Sequence, residues 1–189
     1  RGPERAGLFR EGCPEEIVYL RAASAALDRQ EFGEARRLVN RIQSLAPQWL
    51  ELRLLNSRLI IAEVRRNHHN WEHSEQLVGL IRAFNQRPIF GNCDPSCVAI
   101  RARTAQTVDQ HYRQSVRTLS AVGESLAALS NELPDETGKA KAHFYRGWLA
   151  WRVHQNAPEA MRQLERSLHF AKDPKAQNLL DTVRYFDRL

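Results

Sequence analysis

No stretch of this chain stays apolar for the ~18 residues that a membrane-spanning helix requires, and none approaches that length. The glycine loop that cradles phosphate, the G-x-S-x-G elbow and the H-E-x-x-H zinc motif are all missing. With them go the local signatures of P-loop nucleotide enzymes, α/β-hydrolases and zinc peptidases. Cysteine is scarce, with only Cys13, Cys93 and Cys97, too few for a disulfide framework. Lysine is scarcer than the charge suggests, because 24 of the 28 basic residues are arginine. No run of five or six like charges occurs, so the chain carries neither an acidic tail nor a basic arm. Glycine and proline are sparse and fall mostly between periodic segments.

What remains has the make-up of a soluble globular protein. Its 189 residues, 42% apolar and 26% charged, are enough for one sizeable domain. A net charge of +6 is spread along the chain and describes a moderately basic scaffold. The first residue is Arg1 rather than Met, which points to a processed or truncated chain. Cys13 follows Arg10-Glu11-Gly12 and lacks the preceding residues of a bacterial lipid-attachment site.

The clearest periodicity lies between Pro14 and Pro47. Pro14 suits a first helical turn, where its missing N–H is not needed, and Glu15 and Glu16 suit the positive end of the helix dipole. Ile17, Leu20, Ser24 and Leu27 recur at helical spacing, with alanines between them that allow a second helix to approach closely. Asp28 to Glu31 is a polar break. Phe32, Ala35, Leu38, Val39, Ile42 and Leu45 then form a second stripe, closed by Ala46-Pro47. Neither stripe can be buried by its own helix, so the two predict an antiparallel hairpin that needs further neighbours.

An aromatic at the turn (Phe32), a small residue three later (Ala35), a helix-ending Pro47 and a small Ala23 at the expected helix crossing resemble a tetratricopeptide repeat. Its length is 34 residues. The first helix lacks the usual large aromatic and glycine, and no glycine occupies the turn. The resemblance implies an all-α fold: antiparallel hairpins stacked as a right-handed superhelix whose first helices line a groove for a peptide or a partner helix.

Later segments read as looser copies. Residues 1–13 are a polar lead-in, and units are expected at 14–47, 48–88, 94–132 and 139–174, with a capping helix at 175–189. Trp49 to Arg66 is a long apolar helix followed by the polar turn Asn67 to Asn70. Trp71 and Ser74 repeat the aromatic-then-small pattern, and so do Tyr112 and Ser115. No glycine or proline marks a turn near Asp109, so one long helix and a hairpin both fit 95–131. Leu133 to Gly138 is the strongest break. The run Phe144 to Trp151 places Gly147 at a helix crossing, and this segment, expected to run from Ala140 to His154, best matches the family's first helix. Phe32, Trp71, Tyr112 and Ala157 mark candidate turns 39, 41 and 45 residues apart, longer and less regular than the family repeat.

Few chemical constellations survive inspection. His69, His73, Cys93 and Cys97 carry zinc-ligand side chains, but the pairs sit at opposite ends of a predicted helix of about 14 residues, roughly 20 Å apart. Zinc ligands lie within about 2.3 Å of the metal, so no metal site is expected. Cys93 and Cys97 flank a tight turn and can reach disulfide distance; a bond there would indicate an oxidising compartment such as a periplasm. Two reduced thiols in a cytosolic protein fit the same residues. Helical carboxylates such as Glu15, Glu16, Glu72 and Glu75 read as solvated faces, and nothing singles out Cys97 with His111 as a nucleophile and base. The expectation is a non-enzymatic protein without a cofactor.

The partner expected is another protein or a peptide segment. Trp148 and Trp151 share a broad helix face beside Lys141 and Arg152. On the family resemblance, Lys141, Trp148 and Arg152 are groove candidates, joined by Glu63 and Arg66 from the second unit. Aromatic and arginine side chains dominate binding hot spots, although core packing competes for the tryptophans. Assembly of a bacterial cell-envelope or secretion complex is the context that a Cys93–Cys97 disulfide would favour. The alternative is a nucleic-acid-binding array using Arg21, Arg36, Arg37, Arg41, Arg65 and Arg66.

Overall fold

The computed structural model describes residues 14–67 and 95–187. Seven helices and no strands occur among them: α1 (Pro14–Asp28), α2 (Phe32–Leu45), α3 (Leu50–Asn67), α4 (Pro95–Glu132), α5 (Glu136–Arg152), α6 (Ala157–Phe170) and α7 (Pro174–Asp187). The fold is all-α. None of the described helices is long and apolar enough to cross a membrane. Two compact units divide the chain, one of residues 1–63 with 119–189 and the other of residues 64–118.

In the first unit, α1 and α2 form the expected hairpin. Ala23, Ala26 and Leu27 of α1 meet Ala35, Leu38, Val39 and Ile42 of α2, and Trp49, Leu52, Leu55 and Leu59 close the same core from α3 and the turn before it. Small residues at the contact let the backbones approach, so the larger leucines and Ile42 can fill the space behind them. Burying one Leu or Ile side chain contributes about 1.5–3 kcal/mol. The turn is a left-handed helix cap: the Gln30 N–H bonds to the Leu27 carbonyl and the Glu31 N–H to the Ala26 carbonyl, with Gln30 at φ 62°. Glycine usually takes that position. Here a glutamine does, which is why the turn carries no glycine.

The α5–α6 hairpin also turns through a glutamine at positive φ, but its closing bond reaches six residues back where the first reaches five. The Asn156 N–H closes on the Ala150 carbonyl, and Gln155 stands at φ 49°. Gly147 lies where the helices cross: a Cβ there would come 2.7 Å from Leu164 Cγ and 3.2 Å from the Ala160 carbonyl. In the first hairpin the small Ala23 is fully buried in the core between the helices. Ala150, Ala157, Ala160 and Leu164 form a core with Leu180 and Val183 of α7.

Helix α5 starts at Glu136, four residues before the expected Ala140. Asp135 accounts for the difference, since its carboxylate accepts the Gly138 N–H at 2.6 Å as an N-cap. That draws Thr137 and Gly138 into the first turn. Asn156 and Asp173 cap the next two helices in the same way, accepting from the N–H groups of Glu159 and Lys175.

Residues 95–132 are one continuous helix, so Tyr112 and Ser115 sit inside α4 and begin no second helix. The Ser115 and Thr118 hydroxyls bond back to the carbonyls of His111 and Gln114, which satisfies them within the helix. Leu119, Leu126 and Leu129 at its C-terminal end are fully buried. Gly123 faces Leu149 of α5 there, and Ser130 accepts from Arg146. The second unit contains the earlier part of α4, where Arg113 pairs with Asp109 at 2.9 Å.

Candidate functional site

Within the first unit, α1, α3 and the start of α5 enclose a groove of about 250 Å³. Its floor is apolar, formed by Leu20 of α1, Leu54 and Leu55 of α3 and Leu133 before α5. Charged side chains stand around it: Arg21 from α1, Glu51 and Arg58 from α3, Asp135 and Lys141 from α5 and its cap. On α3 the lining residues 51, 54, 55 and 58 recur at three- and four-residue intervals, one face of a helix.

Arg58 holds the three walls together. Its guanidinium donates to Ser24 at 3.4 Å and Asp28 at 3.2 Å on α1, and to the Tyr145 hydroxyl at 3.3 Å on α5. The side chain is only 16% exposed. A planar guanidinium offers five donors in fixed directions, so one residue can serve two neighbouring helices at once.

Glu51 is the opposite case. Neither carboxylate oxygen is exposed or has a hydrogen-bond partner. Burial pushes its carboxyl pKa up and nearby Asp135 adds to the effect. Its own backbone N–H pulls the other way, yet that amide does not reach hydrogen-bonding geometry. Position in the first turn of α3 gives a carboxylate some support from the helix dipole, but no direct donor.

Of the five expected groove residues, only Lys141 lines this groove. Trp148 is buried at 8% exposure; it lies two turns further along α5, where that helix packs inward. Glu63 faces α2, where the Arg36 guanidinium grips both its oxygens and also donates to Asn56 at 2.9 Å, so it ties two helices together. Arg152 and Arg66 are exposed near the ends of α5 and α3. Cys93 lies outside the described residues, as do His69, His73 and Trp71. Cys97 falls in the first turn of α4, in a stretch whose side chains are not described. The disulfide therefore belongs with these undescribed groups. No cluster of metal-ligating side chains occurs among the described residues.

Three arginines of the nucleic-acid alternative have defined places in the first unit. Arg36 is committed to Glu63, Arg37 bonds Glu34 on its own helix at 2.7 Å, and Arg21 borders the groove. The sequence alone does not single out Glu51, Leu54 or Arg58, and it points to Leu20 and Leu55 only as apolar helix positions and to Arg21 only for the nucleic-acid alternative. The legible signal was the matching helical periodicity on α1 and α3, but which face of each helix turns to α5 depends on contacts across more than 80 residues of chain.

A second polar cluster is internal. His143 of α5 shares a 2.7 Å hydrogen bond with Gln163 of α6 and stacks on Phe170 with ring centroids 5.6 Å apart. Gln163 in turn donates to Glu159 at 2.7 Å, and Ser167 donates to the Ala140 carbonyl at 2.8 Å. Burial pushes the His143 pKa down; the Gln163 bond opposes this, and Arg146 and Arg166 reinforce it. The imidazole is therefore held neutral, as a structural link between two helices.

Comparison with protein-family models, with curated proteins and with solved structures gives no match for this chain.

Proposed function

We propose that this protein is a non-enzymatic interaction module whose helices stack in the tetratricopeptide-like manner, with α7 as the capping helix, and that the groove between α1, α3 and α5 holds a segment of a partner protein. One observation carries this reading: three helices far apart in the chain converge on a single cleft with an apolar floor and a charged border. Such a cleft supplies burial for one or two apolar side chains and polar contacts that fix their orientation. Arg58 pre-sets the walls, so the cost of ordering them is met in folding rather than in binding. A role in a cell-envelope or secretion assembly is the context in which a Cys93–Cys97 bond would make sense; counting free thiols under denaturing, non-reducing conditions tests it.

The groove reading is tested by installing a photo-crosslinking side chain at Lys141 and, as a control, at the exposed Lys175 of α7. Crosslinks to a partner should form from position 141 and disappear when Arg21→Glu is added. Equal labelling from both positions, unaffected by that charge reversal, would remove the groove from consideration.

A further inference from the structure

One group in the groove has no counterpart in the fold. The Glu51 carboxylate is shielded from water and accepts no hydrogen bond, whereas two charged residues beside it already have partners. Arg58 is taken by Ser24, Asp28 and Tyr145, and Asp135 by the Gly138 amide. Arg21 and Lys141 stand exposed at the border and do not reach Glu51. A buried carboxylate without donors costs folding stability, and a fold that needed only packing at this position would do better with an apolar side chain. Within the first unit the α3 dipole favours its charge, but no side chain pairs with it.

We propose that the partner segment in the groove carries a lysine or arginine that pairs with Glu51, beside an apolar residue seated on Leu20, Leu54 and Leu55, and with carboxylates of its own reaching Arg21 and Lys141. This rests on the groove reading above and names the chemistry of its occupant. A cationic donor is the choice because charge-assisted hydrogen bonds to a carboxylate are the strongest available to it. An anionic group at that depth would face Glu51 and Asp135 together. The aliphatic stem of a lysine or arginine suits the apolar floor, since such stems bury readily while the head seeks a polar partner. Glu51 lines the groove while its oxygens lie behind the lining surface. Pairing therefore turns the carboxylate toward the cleft by rotation between staggered side-chain wells.

The test is selection from a random nine-residue peptide library displayed on phage, panned against the full chain. Selected peptides are then measured against the Glu51→Gln variant and against an Arg21→Glu, Lys141→Glu variant. The expected result is a lysine or arginine at a constant position next to an apolar residue. Affinity should fall tenfold or more for Glu51→Gln, and replacing the selected arginine by citrulline should matter little once Glu51 is gone. Glu51→Gln should melt at or above the wild-type temperature, so the loss is not one of folding. Peptides without a constant cation, or indifferent to Glu51→Gln, overturn this inference; if they still depend on Arg21 and Lys141, the groove reading survives it. Peptides indifferent to both variants overturn the two together.

Discussion

The α1–α2 and α5–α6 hairpins share a backbone plan and differ in what fills it. Both turn through a glutamine at positive φ, and both bury a small residue between their helices, Ala23 in one and Gly147 in the other. The first packs a cluster of apolar side chains between its helices, with Glu16 of α1 also buried. The second carries a buried hydrogen-bonded set, His143 with Gln163 and Ser167 with the Ala140 carbonyl, between the same two kinds of helix. Small residues let the backbones approach, while the chemistry of the interface is free to vary; most buried polar groups find a partner, although the Trp49 indole N–H in the first core does not. The groove shows the other side of this rule, in a carboxylate that lacks one.

The largest effect should come from Leu164, fully buried against Gly147. Leu164→Ala is expected to cost about 2–5 kcal/mol in urea unfolding; a cost below 1 kcal/mol would mean that the crossing is looser than described. Gln163→Leu should follow at about 1–3 kcal/mol, because it strands the buried His143 nitrogen. The matching change in the first hairpin, Leu38→Met, should cost less than 1.5 kcal/mol as a volume-conserving apolar swap. Comparable losses in the two would erase the chemical distinction between the hairpins.

The glycines sharpen the comparison next. Gly147→Ala should destabilise by about 1–2 kcal/mol, the overpacking cost less the better helix propensity of alanine. A Cβ at Gly33, in the first turn of α2, meets nothing within 4 Å. Gly33→Ala should therefore stabilise by about 0.5–1 kcal/mol. Thermal melts of the two variants should move in opposite directions.

The polar set also makes one hairpin sensitive to pH. His143 has a pKa below that of an exposed histidine, so the unfolded chain binds its proton more readily than the native state does. Its contribution is present above the ordinary histidine pKa of about 6.5 and is lost as pH falls through that value toward the lower native one. A stability–pH profile in that interval should flatten in a His143→Gln variant. An unchanged slope would show that the imidazole is not held neutral. Smallest should be the turn substitutions: Gln30→Gly and Gln155→Gly each relieve a left-handed backbone and should add up to about 1 kcal/mol. Glycine at a neighbouring exposed position, Arg29, should add nothing.

Much of the helical framework was legible in the residues. The apolar stripes of α1 and α2, the polar break after Asp28 and Gly147 as a crossing point all follow from local spacing, whereas α5 ends at Arg152, two residues short of the expected His154. The start of α5 was misplaced because Gly138 reads as a breaker until Asp135 is seen to cap it. Residues 95–132 stayed open between a hairpin and one helix, since no glycine or proline decides between them. Trp148 and Glu63 each lie on a helix that the family resemblance turns toward a groove, and the face that each presents is set by its neighbours.

Taken alone, the order of amino acids determined that this protein is built from amphipathic helices, and where most of them begin and end, because helical periodicity, caps and breakers act within a few residues. Tertiary structure decided which faces meet: that Arg58 spans α1 and α5, that Glu51 is left without a donor, and that three distant helices share a groove. Those outcomes depend on contacts between segments separated by most of the chain, which local spacing does not encode.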